Sequence, residues 1–171
     1  RHEGFMKGIE GSNIEIIFQA DMKWLQPDAQ KEMESALARF PKIDLVYAHN
    51  DPGAYGAYLA AKAAGREKEM KFVGIDALPH EGIAYVRQGL LSASFEYPTG
   101  GKEAIEYAIR ILNDEQGLPR KVVLPSRLFT AENVDQGGEL IPMEGVTGPA
   151  STLDTAVPAA TPPDQTADAN P

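Results

Sequence analysis

The sequence predicts an α/β fold built on a parallel sheet. Short apolar runs alternate with helical patterns along most of the chain, as they do in βαβ proteins. The clearest unit runs from Ile43 to Asp76 and reads as strand, helix, strand. Parallel strands joined by a helix cross over right-handed, so the carboxyl ends of these two strands lie side by side. Open α/β sheets bind their ligands at that edge.

The first strand of this unit is the apolar run 45–48, and its helix begins at a turn. Asp51 suits the N-cap of the helix, and Pro52 suits the first helical position, which needs no N–H. The helix is rich in glycine and alanine, and these small side chains let it lie close on a sheet. We expect its apolar stripe to consist of three residues at a spacing of four: Tyr55, Leu59 and Ala63.

The helix is predicted to end at Gly65, a natural residue just past a helix terminus. The second buried strand, Lys71–Ile75, follows and ends in Asp76. Asn50 and Asp76 therefore stand at the carboxyl ends of neighbouring strands.

Three elements precede this unit. Gly4–Ile9 looks like the back of a helix that ends at Gly11, and the isoleucines of Asn13–Phe18 predict a strand. Pro27 begins a helix that Pro41 stops. Its apolar residues recur at helical spacing: Ala29, Met33, Ala36, Leu37 and Phe40.

Four elements follow it. Glu81–Gln88 is predicted to be a short helix, and a strand comes next in which one face is buried. The residues assigned to that buried face are Leu91, Ala93, Phe95 and Tyr97. Thr99–Asn113 is predicted to be a helix with an apolar face. Lys121–Thr130 is a last strand interrupted by Pro125, which fits an edge or crossing segment.

Composition narrows the functional classes. The 171 residues carry a formal net charge of −9, which disfavours nucleic acid as a direct partner. The chain has no cysteine, and its three histidines lack metal-ligand spacing, so we assign no metal and no cofactor. No apolar run approaches the length of a membrane span. Nucleophile elbows and Walker-type phosphate loops are absent from the sequence, so we do not expect an enzyme.

The central unit resembles a known family. The stretches VYAHND, GAYLAAKAAG and KFVGID are similar to the second lobe of periplasmic sugar-binding proteins of the ribose-binding type. This type I fold is shared with the effector domains of lactose-repressor-like regulators. The likeness runs from Arg1 to about Thr130.

The resemblance implies a division of the chain. Residues 1–95 would form the second ligand-binding lobe, incomplete at its start, and 96–120 would return to the first lobe. Residues 121–143 would recross the hinge and supply the last strand. We expect residues 144–171, rich in Ala and Pro, to be disordered. On this view the chain is a carboxyl-terminal portion of a longer periplasmic protein whose lobes close on a ligand.

The family's sugar contacts map onto five residues of this chain: Arg1, Trp24, Asn50, Asp76 and Glu96. Arg1 opens an Arg-x-x-Gly-Phe pattern that donates to sugar oxygens in the family, and Trp24 stands where an aromatic ring covers one face of the sugar. Glu96 departs from the neutral amide of the ribose-binding pattern. Aromatic rings suit the C–H faces of sugars, and planar polar groups suit vicinal hydroxyls.

Ordinary structural roles remain open for some of these residues. Asn50 could be a turn residue before a helix, Trp24 a core residue and Glu96 plain surface. Asp51 is expected to be only an N-cap.

The resemblance implies a solute-binding protein that captures a pentose or hexose for an ABC-type transporter. Its partners would be the sugar and a transporter permease or membrane receptor. Alternatives are the sugar-sensing ectodomain of a sensor kinase and the effector domain of a repressor. An alternative of another class is a flavodoxin-like enzyme that holds a metal with Asp51 and Asp76.

Overall fold

The computed structural model describes residues 1–141. Its helices are α1 (His2–Ile9), α2 (Gln26–Arg39), α3 (Asp51–Ala63), α4 (Gly82–Arg87) and α5 (Gly101–Leu112), with a 3-10 turn at Val134–Gln136. Its strands are β1 (Leu45–Tyr47), β2 (Lys71–Asp76), β3 (Ala93–Glu96), β4 (Ser126–Thr130) and β5 (Glu139–Ile141). The predicted α/β class and the strand–helix–strand unit of residues 43–76 are confirmed.

The five strands form one sheet in the order β1-β2-β3-β4-β5. The first three are parallel, and β4 and β5 are antiparallel to their neighbours. Because β1, β2 and β3 follow one another in the same direction, right-handed crossovers place α3 and α4 on one face. The two helices contact each other there, and α2 packs against α3. The carboxyl ends of β1, β2 and β3 therefore share one edge of the sheet.

The face that α3 buries is not the predicted stripe. Tyr55 and Leu59 are half-buried and Ala63 is exposed. The buried residues of the helix are instead small, apart from its first residue: Asp51, Gly53, Ala54, Gly56, Ala57, Ala60 and Ala61. Small side chains let the helix axis approach both the sheet and α2 closely, which large side chains would prevent. The helix and the close approach of its small residues were therefore predicted correctly, and only the stripe of larger apolar residues was wrong.

The strand predicted at Asn13–Phe18 is wrong. No backbone hydrogen bond joins this segment to β1 in the described part of the chain, and Ile14 and Ile17 stay exposed. A groove of about 1090 Å³ separates the segment from the outer edge of β1. High β propensity does not make a strand where the segment has no hydrogen-bonded neighbour.

The alternation predicted for the strand that contains β3 holds only at its start, where Leu91 is buried and Ser92 is exposed. Ser94, assigned to the polar face, is completely buried, whereas Tyr97, assigned to the buried face, is exposed. Phe95, expected in the core, is half-buried. Ser94 can be buried because its hydroxyl donates to the Asp51 carboxylate, so no polar atom is left unsatisfied.

The last strand begins later than predicted. Lys121–Pro125 is irregular, and β4 starts after Pro125, so the proline does not interrupt it. β4 lies between β3 and β5 rather than at an edge of the described sheet. The predicted tail, 144–171, lies outside the described residues. Within residues 1–141, no helix combines the length and the apolar character that crossing a bilayer requires.

The predicted helix at Thr99–Asn113 is confirmed as α5, but none of its residues is buried. Ile105, Ile109 and Leu112, which form its apolar face, are all more than half exposed. α5 therefore contributes little to the core described here, which lies between the sheet and α2, α3 and α4.

Gly56 tests the close packing of α2 on α3. A Cβ at this position would overlap the carbonyl oxygen of Gln26 and lie 3.2 Å from the Ala29 Cβ. Gly56→Ala should therefore lower the free energy of unfolding by about 1–3 kcal/mol. Gly8→Ala is the matched control, because nothing lies within 4 Å of a Cβ there. That change should leave stability unaltered or raise it by up to about 1 kcal/mol. Urea denaturation giving equal effects for the two variants would contradict the packing described.

Candidate functional site

Four of the five predicted residues are linked directly at the carboxyl edge of the sheet. Arg1 Nη2 donates to Asp76 Oδ1 at 2.7 Å, and Arg1 Nη1 donates to the carbonyl oxygen of His49. The Arg1 guanidinium carbon lies 5.4 Å from the centre of the Trp24 ring. The Asn50 Nδ2 donates to the Trp24 carbonyl oxygen at 3.1 Å. Arg1, Trp24, Asn50 and Asp76 therefore form one polar and aromatic cluster.

Asn50 is the N-cap of α3, a role that the sequence predicted for Asp51. Its Oδ1 accepts from the Gly53 N–H at 2.9 Å, and its backbone is extended, as N-caps require. The side chain is only 7% exposed, and both ends of its amide have protein partners. Within residues 1–141, one N–H and one lone pair of the amide have no hydrogen-bond partner.

Asp51 is the first residue of the helix, not its cap, and it is completely buried. Its Oδ1 accepts from the Ser94 hydroxyl at 2.6 Å, and its Oδ2 accepts from the Ala77 N–H at 2.7 Å. Burial raises the pKa of the Asp51 carboxyl, and these two hydrogen bonds act in the opposite direction. The side chain therefore connects α3 to β3 and to the residue after β2.

Asp76 ends β2 in a sharp turn. Its φ is 121° and that of Ala77 is 50°, values that non-glycine residues rarely adopt. Glu96 is the register partner of Asp76 on β3 and is half-buried. Its carboxylate takes part in none of the hydrogen bonds that link the other four residues. The structure thus brings Glu96 next to the cluster through the sheet alone.

Two residues of the cluster were missed from the sequence. The Tyr97 ring lies 4.8 Å from the Arg1 guanidinium carbon, although the sequence assigned this residue to the buried face of its strand. His49 lies 6.4 Å from the Trp24 ring centre and presents its carbonyl to Arg1. Their position beside Asn50 and Glu96 at strand ends was the available signal.

Burial and neighbouring charges shift the pKa values of two aromatic side chains at or beside the cluster, His49 and Tyr47. Burial lowers the pKa of His49, and the neighbouring cations, Arg1 among them, lower it further. Burial raises the pKa of Tyr47, whose ring stacks on Phe5 at 4.3 Å. His49 is therefore held towards its neutral form, so Arg1 is the principal cation of the cluster.

The cluster adjoins the large groove beside β1. Trp24 and His49 line that groove as well, whereas the other residues of the cluster do not. No group of three or more potential metal-ligating side chains occurs in residues 1–141. The cluster offers the aromatic ring of Trp24, a residue that is 58% exposed, together with the Arg1 guanidinium and the Asp76 carboxylate. These groups can bind a small molecule that carries several hydroxyls.

Comparison with known proteins gives one family. The model of the periplasmic binding protein domain matches residues 1–116. A rhizopine-binding protein of Rhizobium meliloti is 33% identical over 124 residues, which are 71% of this chain and 40% of that protein. A D-apiose import binding protein of Actinobacillus succinogenes is 37% identical over 93 residues, which are 54% of this chain and 28% of that protein.

Solved structures show the same relationship. The fructose-binding periplasmic domain of a hybrid two-component system is 45% identical, with a TM-score of 0.75 over 80% of this chain and 46% of that one. An ABC transporter solute-binding protein from Actinobacillus succinogenes with bound D-allose is 25% identical, with a TM-score of 0.72 over 79% of this chain and 48% of that one. The chain thus spans about half the length of these proteins, or less.

Asn50 tests the structural part of the cluster. Asn50→Ala removes the cap of α3 and the bond to the Trp24 carbonyl, so stability should fall by about 1–2 kcal/mol. Asn50→Ser keeps a capping oxygen but cannot reach Trp24, and should recover most of that loss. Urea denaturation of the three proteins separates the two contributions. A loss below about 0.5 kcal/mol for Asn50→Ala would show that neither contact matters to stability.

Proposed function

Because the chain belongs to the periplasmic binding protein family, we propose that it binds a small sugar at the carboxyl ends of β1, β2 and β3. Members of this family are solute-binding proteins rather than enzymes. Relatives described as binding rhizopine, D-apiose, fructose and D-allose support a small polyhydroxy ligand. The observation that carries the proposal is the ion pair of Arg1 with Asp76 beside the exposed ring of Trp24.

The chemistry of the cluster suits a sugar ring. The indole of Trp24 offers a flat apolar surface for the C–H face of a sugar. The Asp76 carboxylate accepts from hydroxyls and the Arg1 guanidinium donates to ring or hydroxyl oxygens, in charge-assisted hydrogen bonds. The remaining N–H of Asn50 would add one donor, and Tyr97 adds a second ring, 4.8 Å from the Arg1 guanidinium carbon.

Arg1 and Asp76 are already paired before a ligand binds. Their side chains are 21% and 26% exposed, so most of the desolvation of these charges has taken place in folding. A ligand therefore meets oriented groups and loses less free energy in ordering them. Glu96, as the register partner of Asp76, is placed in this proposal at the margin of the site, where its charge distinguishes among sugars.

This proposal has two forms, which differ in what receives the signal or the sugar once the protein has bound its ligand. In the first, the chain belongs to a periplasmic protein that delivers the sugar to an ABC transporter, as the D-apiose and D-allose proteins suggest. In the second, it belongs to the sensory domain of a signalling protein, which the 45% identity to a fructose-binding sensor domain favours. A kinase sequence in the same open reading frame would decide for the second.

Calorimetry with a panel of monosaccharides tests the site through Trp24. The protein produced from its complete gene should bind at least one of D-fructose, D-allose, D-apiose and D-ribose. Trp24→Ala should weaken that binding by about 1–3 kcal/mol because the platform for the ring is lost. The melting temperature should change little, since the side chain is mostly exposed.

Trp24→Phe is the control, because it keeps an aromatic face and should lose less affinity than Trp24→Ala. A protein that binds none of the sugars at millimolar concentration would contradict the proposed function. Unchanged affinity together with a large loss of stability would make Trp24 a core residue instead.

A further inference from the structure

Asp51 is a buried carboxylate that does not face the proposed sugar site directly. It accepts from Ser94 on β3 and from the Ala77 N–H at the end of β2, while its own backbone begins α3. A completely buried carboxylate is costly to keep unless its position is needed, because an apolar side chain of similar volume often serves stability as well or better. Its two partners show what it holds in place.

The backbone that Asp51 holds carries a ligand-facing residue of the proposed site. Asp76 and Ala77 both have positive φ values, 121° and 50°. Such conformations persist only where the surrounding structure fixes them. The Ala77 N–H is the backbone group that Asp51 binds, so the carboxylate anchors this turn one residue beyond Asp76.

Two glycines leave the space for this carboxylate. A Cβ on Gly74 or on Gly82 would collide with the side chain of Asp51. Neither glycine has a positive φ, so backbone conformation does not require glycine at these positions. β2 and α4 are thus both shaped around the Asp51 carboxylate.

We propose that Asp51 is a positioning residue for sugar binding, which holds the Asp76–Ala77 turn so that the Asp76 carboxylate stays directed at Arg1 and the ligand. The proposal rests on the proposed function of the cluster. Asp51 itself makes no contact with the sugar; it acts through the backbone of Ala77.

Three variants of the complete protein test this. Asp51→Ala removes both hydrogen bonds to the carboxylate. Asp51→Asn retains both contacts but reverses one of them. Its Oδ1 can accept from the Ala77 N–H, and its Nδ2 can donate to the Ser94 hydroxyl oxygen, which donates in the unmodified protein. Met70→Ala is the control for general destabilisation. Met70 is also buried, but it immediately precedes the first residue of β2, at the end of the strand away from Asp76. The measurements are calorimetric affinity for the best sugar of the panel and amide hydrogen exchange at Ala77 and Leu78.

Asp51→Ala should bind the sugar at least tenfold more weakly, and its Ala77 amide should exchange faster than that of Met70→Ala. Asp51→Asn should stay within threefold of the unmodified affinity, and Met70→Ala within twofold. If Asp51→Ala does not fold, Ser94→Ala replaces it, with an expected three- to tenfold loss. The proposal would be overturned if the sugar affinity of Asp51→Ala, or of Ser94→Ala in its place, lay within twofold of the affinity of Met70→Ala.

The exchange measurement separates this proposal from the function on which it rests. If the unmodified protein binds no sugar, the proposed function fails, and exchange at Ala77 still decides whether Asp51 holds the turn. Equal exchange at Ala77 in Asp51→Ala and Met70→Ala would overturn the positioning role in that case as well.

Discussion

Two consecutive side chains at the start of α3 connect the parts of the candidate site. Asn50 caps the helix and binds the backbone of Trp24, and Asp51 binds Ser94 and the backbone of Ala77. Together they join the Trp24 loop, α3, the end of β2 and β3. This arrangement depends on the close approach of α3 to the sheet, which the glycines and alanines of its buried face allow. The cluster of Arg1, Trp24 and Asp76 is assembled on that framework.

Much of the fold and the location of the cluster could be predicted from the sequence. Apolar runs of strand length, separated by a helix with a clear start and end, specify β1, α3 and β2, and the crossover rule then brings Asn50 and Asp76 to one edge. The identities of Trp24 and Arg1 came from the family resemblance, not from local patterns. Their proximity to Asp76 is a tertiary contact that periodicity cannot reveal.

The errors share one physical cause: each was decided by a partner distant in sequence. Asn and Asp are both good N-caps, and only the contact of Asp51 with Ser94 and Ala77 explains why the cap is Asn50. The same contact gives the buried Ser94 hydroxyl a partner, and Ser94 is where the predicted alternation of β3 fails. Asn13–Phe18 has the composition of a strand but lacks a hydrogen-bonded neighbour in the described structure. The apolar face of α5 was predicted correctly, and it lies exposed rather than packed on the core.

The central claim is that the cluster around Arg1, Trp24 and Asp76 is where a sugar binds. A crystal structure of the complete protein with the sugar that binds best in calorimetry tests it most directly. The account predicts the sugar ring stacked on Trp24, with hydroxyl oxygens within hydrogen-bond distance, about 2.5–3.2 Å, of the Asp76 carboxylate and the Arg1 guanidinium. A sugar bound in the groove between residues 13–22 and β1, with no contact to Asp76, would contradict it.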